Sequence, residues 1–139
     1  MANRCARIER KENMAEIKNV PREGEEQATL FNWAKMQQWK YPGLSMMFHI
    51  PNGGKRSKAE AGRFKAEGVK AGVPDIFLPV PRGGYHGLFI ELKRSKGGTV
   101  SEAQKEWQAA LKDEGYQAVI CKGWQEAAKA IEDYLEEQI

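Results

Sequence analysis

Apolar and polar positions along the chain follow patterns that predict an alternation of helices and strands. Apolar residues about 3.6 positions apart predict helices, and alternation or a short apolar run between turn residues predicts strands. We expect helices over residues 22–40, 57–68, 101–115 and 124–139, and strands over 44–50, 75–80, 86–93 and 116–121. This order predicts an α/β fold with a central mixed sheet flanked by helices. Residues 1–21 are expected to be a charged lead-in to a domain spanning 22–139.

One predicted strand carries charged side chains in an otherwise apolar run. Side chains alternate along a strand, so Glu91 and Lys93 point to one face and the apolar residues around them point to the other. The glycine pair at 83–84 predicts a hairpin, so the strands on either side of it should be antiparallel neighbours. That pairing brings Asp75, at the start of the first strand, close to Glu91.

Asp75, Glu91 and Lys93 together suit the hydrolysis of a phosphodiester. Mg²⁺ prefers oxygen ligands and usually takes one or two carboxylates, which the two acids supply. The main-chain carbonyl of Leu92 offers a further oxygen. Lys93 is then placed to orient or deprotonate an attacking water and to offset negative charge. The alternative is a salt bridge between Lys93 and either acid, which needs no metal.

Composition narrows the setting of this chemistry. With 139 residues the chain is most simply one domain. Cys5 and Cys121 lack metal-ligand spacing, and Cys121 ends an apolar run that predicts a core position. No apolar stretch approaches the roughly 20 residues of a membrane helix, and the N-terminus lacks the apolar segment of a signal peptide. We therefore expect a cytoplasmic protein.

Charge is distributed unevenly although the net charge is only +3. Residues 55–70 carry six basic side chains against Glu60 and Glu67, whereas residues 125–139 carry five acids against Lys129 alone. This asymmetry predicts a binding face for a polyanion, and a solvated helix face is an equally good interpretation. The candidate contacts are the turn residue Asn52 and the basic residues Lys55, Arg56, Lys58, Arg63, Lys65 and Lys70.

Two polar residues outside the strands have more than one possible role. Ser101 and Gln104 have the spacing of a capping box at the start of the third predicted helix, which accounts for Gln104 structurally. Glu26 shares a face of the first helix with Leu30 and Trp33, so it can point inward. Glu23 and Glu25, its neighbours in the first turn, carry negative charge that suits the positive end of the helix dipole.

Four ordered blocks of sequence resemble the VRR-NUC branch of the PD-(D/E)XK nucleases. The blocks are EEQATLFNWAK, FHIPNGGKR, GVPDIFLPVP and GLFIELKRSKGGTVSEAQKEW. The resemblance runs from about residue 23 to the C-terminal helix and leaves the lead-in unexplained. It implies a restriction-endonuclease-like core and DNA cleavage that depends on Mg²⁺ or Mn²⁺.

The resemblance also implies roles for particular residues. Asp75 and Glu91 correspond to metal ligands, Lys93 to the catalytic lysine, and Gln104 to a polar residue close to the active site. A glutamate on the first helix completes the acidic cluster of the family. Glu26 is the match here, with Glu23 and Glu25 as alternatives.

Short stand-alone members of this family, of phage and bacterial type, are similar to Holliday-junction resolvases. The resemblance therefore implies a homodimer that cuts branched DNA in repair or recombination, in a bacterial or phage-infected cell. The basic segment over 55–70 would hold the DNA backbone. Trp39, Tyr41 and the lead-in are candidates for the dimer surface, and equally for ordinary surface residues. A non-catalytic DNA-binding module and a sequence-specific restriction enzyme remain as alternatives.

Overall fold

The computed structural model describes residues 20–51 and 57–138. Within these residues the helices are α1 (Glu23–Met36), α2 (Lys58–Ala66), α3 (Glu102–Asp113) and α4 (Trp124–Glu136), and a short 3₁₀ helix covers Pro42–Met46. The strands are β1 (Phe48–His49), β2 (Ile76–Leu78), β3 (Leu88–Lys93) and β4 (Gln117–Lys122). None of the helices described is long and apolar enough to cross a membrane. The predicted lead-in lies almost entirely outside the described residues.

The strands form one mixed sheet in the order β1-β2-β3-β4. β1 pairs with β2 and β2 with β3 in antiparallel fashion, whereas β3 and β4 are parallel. Ile76 lies opposite Ile90, as the predicted hairpin requires. A parallel pair needs a crossover connection, and α3 provides it between β3 and β4. The predicted α/β fold with a mixed sheet and flanking helices is confirmed.

The hydrophobic core joins one face of the sheet to α1 and α4. Leu88, Ile90 and Leu92 alternate along β3, and each is at most 1% exposed. Leu30 of α1 and Ile131 of α4 are fully buried in the same cluster. Burying a side chain of this size contributes roughly 1.5–3 kcal/mol. The core therefore fixes the orientation of β3, whose other face carries Glu91 and Lys93.

The predicted elements were generally longer than the observed ones, most of all the strand over 44–50 and the first helix. Residues 44–50 were expected to form one strand, but Pro42 begins a 3₁₀ helix and only Phe48–His49 pairs with β2. Proline suits the first turn of a helix because its fixed φ is helical and its missing N–H has no partner to lose. Pro79, which has no N–H to donate, follows the end of β2 at Leu78. The first helix ends at Met36 rather than near residue 40.

The starts of the helices and the elements of the C-terminal half agree with the predictions from the sequence. Ser57 caps α2 by accepting the N–H of Glu60 at 3.2 Å, and no residue of that helix is buried. The apolar face predicted for the last helix is the buried face of α4. Cys121 lies in the core, where burial raises the pKa of its thiol to about 12. A thiol with so high a pKa is a poor nucleophile, so Cys121 is a packing residue.

Candidate active site

β3 places an acid and a lysine side by side on its face opposite the apolar core. Glu91 and Lys93 are 2% and 7% exposed, and the Lys93 Nζ lies 3.4 Å from Glu91 Oε1. Charged side chains are seldom buried so deeply unless they are paired or bind an ion. This buried pair is the centre of the candidate site.

Asp75 joins the pair from the residue immediately before β2. Because Ile76 lies opposite Ile90, Asp75 comes beside the end of β3, where its Oδ2 accepts the N–H of Leu92 at 2.8 Å. Its main-chain carbonyl accepts the N–H of Ile50 at 2.6 Å. The sequence prediction that the hairpin brings Asp75 close to Glu91 agrees with this geometry.

His49 also contacts Asp75, but through the backbone. Its Nδ1 lies 2.8 Å from the Asp75 carbonyl oxygen. A carbonyl only accepts hydrogen bonds, so Nδ1 carries the proton in this contact. The histidine therefore helps to fix the main chain at Asp75, which is the structural role that is usual for a lone histidine in a strand.

Gln104 makes both of the contacts that were considered for it. Its Oε1 accepts the Ser101 N–H at 2.9 Å, and Ser101 Oγ accepts the Gln104 N–H at 3.2 Å, which completes the capping box of α3. Its Nε2 donates to Glu91 Oε1 at 2.8 Å. The cap fixes the amide oxygen toward Ser101, so the amide nitrogen is turned toward the buried acid.

The second oxygen of Glu91, Oε2, differs from Oε1 in its hydrogen bonding. No described residue hydrogen-bonds the buried Glu91 Oε2. Burial, and then the carboxylate of Asp75, raise the pKa of Glu91 to about 8, although Lys93 opposes the shift. Leaving a buried charged acceptor without a partner costs about 1–3 kcal/mol or more. Keeping Glu91 ionised at this position is therefore costly unless a cation binds Oε2.

A divalent cation fits the oxygens that meet here. Glu91 Oε2 lacks a donor among the described residues, and Asp75 presents a second carboxylate beside it. The N–H and C=O of one strand residue point toward the same neighbouring strand, so the Leu92 carbonyl lies on the side of β3 that faces Asp75. Such hard oxygen ligands are those that Mg²⁺ and Mn²⁺ prefer.

The hydrogen bond of Glu26 joins α1 to α4. Glu26 is 4% exposed, and its Oε2 accepts the N–H of Trp124 at 2.7 Å, so it caps the N-terminus of α4. Among the described residues no three acidic, histidine or cysteine side chains form a group that could hold a metal ion. Glu23 and Glu25 are exposed on the first turn of α1. A metal-ligand role for any of these glutamates stays a prediction.

The predicted polyanion-binding residues divide into two sets. Lys58, Arg63, Lys65 and Lys70 are exposed on α2 and the loop that follows it. Asn52, Lys55 and Arg56 lie outside the described residues. The exposed set satisfies the first requirement of a DNA-binding face, which is that its cations reach solvent.

The sequence places Trp107 on the apolar face of its helix, with Ala103 and Leu111, and indicates no further role for it. In the structure the Trp107 Nε1 donates to the Ala71 carbonyl at 3.1 Å and thereby anchors α3 to the segment before Asp75. Gly72 sits against this anchor: a Cβ there would lie 2.6 Å from the carbonyl carbon of Ala103, and its φ is +89°. A glycine three residues before the predicted acid was the available signal of this close approach.

Three comparisons with known proteins concern the family and the fold of the chain. The family model of the VRR-NUC domain matches residues 10–125. A solved structure described as a VRR-NUC domain protein is 38% identical in sequence with a TM-score of 0.75, and the match covers 85% of this chain and 91% of that chain. A search of curated proteins gave no significant match. The chain belongs to the VRR-NUC family and forms a nuclease-type domain.

Proposed function

We propose that this protein is a structure-selective DNA endonuclease that requires Mg²⁺ or Mn²⁺ and hydrolyses phosphodiester bonds in branched DNA, including four-way junctions. The observation that carries the proposal is the Glu91 carboxylate. One of its oxygens is held by Gln104 and Lys93, while no described residue satisfies the other, and Asp75 lies beside it. Membership of a nuclease-type family supplies the reaction class.

In this proposal Asp75, Glu91 and the Leu92 carbonyl hold the cation, and Glu26 is retained as a further candidate ligand. When bound, the cation makes water more acidic and offsets charge on the phosphoryl oxygens. The protein prepares the carboxylates for it. The Leu92 N–H fixes Asp75 Oδ2 at 2.8 Å, and the Gln104 amide fixes Glu91 Oε1 at 2.8 Å.

Lys93 has the catalytic role in this proposal. The core residues on the opposite face of β3 hold its backbone rigidly, and its side chain is almost fully buried beside Glu91. Its ammonium group stabilises the negative charge that develops on the phosphate and orients the attacking water. Electrostatic stabilisation of this kind contributes about 10²–10³ to the rate of such reactions.

DNA is held in this proposal by the basic residues of α2 and its flanking loops. Lys58, Arg63, Lys65 and Lys70 are exposed and available to phosphates. We include Asn52, Lys55 and Arg56 from the sequence. Contacts of this kind give salt-dependent affinity with little sequence preference. Two paired cuts in a four-way junction require two active sites, so we also propose that the enzyme is a homodimer.

The test is a cleavage assay on a panel of labelled substrates. Purified protein is incubated with a four-way junction, a flap and a linear duplex, each with Mg²⁺, Mn²⁺ or EDTA. We expect paired cuts in the junction, weaker cutting of the duplex and none in EDTA. Glu91→Gln should abolish cutting, whereas Glu102→Gln, at an exposed acid of α3, should cut normally.

Other outcomes of this assay decide between the alternatives. Binding of the junction without cutting of any substrate would indicate a non-catalytic DNA-binding module. Cutting of the duplex at one sequence, with no preference for branches, would indicate a restriction enzyme. Cutting that persists in the Glu91→Gln protein would remove the site assignment itself.

A further inference from the structure

A pocket of about 430 Å³ lies between the end of β1, the loop after α2 and the middle of α3. Its walls are mostly apolar, with an indole on one side and a lysine among the lining residues. Its lining includes Ile50, Glu67, Val69, Lys70, Val73 and Trp107. The volume falls in the range of about 300–1,000 Å³ that is typical of small-molecule sites.

The pocket is built from the segments that position Asp75 and Glu91. Ile50 donates its N–H to the Asp75 carbonyl, and Val73 lies two residues before Asp75, within about 7 Å along the chain. On the other side, Trp107 follows Gln104 by one turn of α3. A group bound in the pocket would therefore lie next to the phosphate that Asp75 and Glu91 act on.

The lining suits a flat, partly apolar ring attached to a phosphate chain. The only donor of the Trp107 indole is already bonded to the Ala71 carbonyl, so the ring offers the pocket its apolar surface alone. Lys70 in the lining and Arg63 and Lys65 on the adjoining helix are cationic and exposed. Glu67, also in the lining, can accept a hydrogen bond from an exocyclic amino group.

We propose that this pocket receives one unstacked nucleobase of the DNA strand that is cut, adjacent to the scissile phosphate. The inference rests on the proposed nuclease function and explains how a small domain selects branched DNA. Taking a base out of a duplex requires unpairing and unstacking, whereas a base at a branch point is already free or nearly so. A site that needs the unstacked base therefore favours branches over duplex without reading sequence.

The experiment measures binding of a flap DNA in EDTA by fluorescence anisotropy, so that cutting does not interfere. A series of flaps carries a single abasic residue at successive positions across the branch. We expect one position at which loss of the base weakens binding about tenfold, because base–aromatic stacking is worth roughly that factor or more. If no position in the series weakens binding, the proposal is wrong.

Pocket variants test whether that loss arises in the pocket. Trp107→Ala removes the indole and Val69→Phe fills the cavity; in both, the abasic and intact flaps should bind equally. Leu111→Ala on the same helix, outside the pocket lining, should keep the tenfold difference. Circular dichroism excludes variants that fail to fold, and Val69→Phe covers the case in which Trp107→Ala does. A full difference in the folded pocket variants would overturn the proposal.

The same series separates this proposal from the nuclease proposal. Cutting by the unaltered protein without an abasic-sensitive position would refute the pocket and leave the nuclease. Abasic-sensitive binding without cutting of any DNA would refute the nuclease and leave the pocket. If Val69→Phe instead converts a dimer to a monomer in light scattering, the occupant is a second copy of the chain and the nucleobase assignment is wrong.

Discussion

Replacing Glu91 with glutamine should change how stability depends on pH. The folded protein raises the pKa of Glu91 from 4.5 to about 8, chiefly by burial. A raised pKa means that the folded state holds this proton more tightly than the unfolded chain does. Between those two pH values the unfolded chain has already lost the proton, so wild-type stability falls as pH rises. Glutamine has no proton to lose, so the variant lacks this slope.

The magnitude follows from the same values. A pKa difference between 4.5 and about 8 sets a ceiling of about 5 kcal/mol for the stability lost above pH 8, at about 1.36 kcal/mol per pH unit. The cost of one buried oxygen without a donor is about 1–3 kcal/mol, and we take this as the expected effect. For a domain of this size that corresponds to roughly 4–12 °C in the melting temperature.

The assay is urea denaturation in EDTA at pH 5 and pH 9 for the wild type and Glu91→Gln. At each pH we subtract the free energy of unfolding of the wild type from that of the variant, and we then subtract the pH 5 result from the pH 9 result. Contacts that the substitution alters equally at both pH values cancel in this double difference. We expect it to favour the variant by about 1–3 kcal/mol. Glu102→Gln, at an exposed acid, should show less than about 0.5 kcal/mol. A difference for Glu91→Gln that is equally small, or of opposite sign, would refute the reasoning.

Three further predictions concern the supporting residues. Gln104→Ala removes the side-chain hydrogen bonds to Ser101 and to Glu91. It should lower the free energy of unfolding by about 1–2 kcal/mol in urea denaturation and slow the cutting of a junction. Unchanged stability would contradict the geometry. Lys65→Ala should weaken DNA binding equally for all sequences and lower the slope of log affinity against log salt by about one, measured by anisotropy; an unchanged slope would remove Lys65 from the interface. Glu26→Ala should lower the free energy of unfolding by about 1–2 kcal/mol because the Trp124 N–H loses its acceptor. Glu26→Gln keeps an acceptor oxygen and should retain most of that stability. Equal losses in both variants would point to a role for the charge.

The local features of this fold were predictable because they depend on nearby residues. Alternation along β3 assigns Glu91 and Lys93 to one face, and the glycine pair at 83–84 gives the antiparallel pairing that brings Asp75 to them. Each of these inferences uses a rule that acts over a few positions. The late start of the strand predicted over 44–50 shows the limit, since Pro42, two residues before it, begins a 3₁₀ helix that covers its first residues.

The features that escaped prediction depend on contacts between distant segments. Glu26 accepts a hydrogen bond from Trp124, 98 positions away, and no spacing rule connects two such residues. Trp107 reads as one more apolar position on a helix, and its anchor on Ala71 becomes visible only when α3 is laid on the sheet. That no described residue donates a hydrogen bond to Glu91 Oε2 is likewise a property of the packed site, because it depends on every donor that surrounds the side chain.

The central claim is that Asp75 and Glu91 hold a divalent cation, and calorimetric titration with Mn²⁺ tests it most directly. The wild type and Asp133→Asn, at an exposed acid of α4 that pairs with Lys129, should bind Mn²⁺ equally. Asp75→Asn should bind at least about tenfold more weakly, since even the partners that only orient metal ligands contribute 10–100-fold to affinity. Equal binding by Asp75→Asn and the wild type would contradict the account.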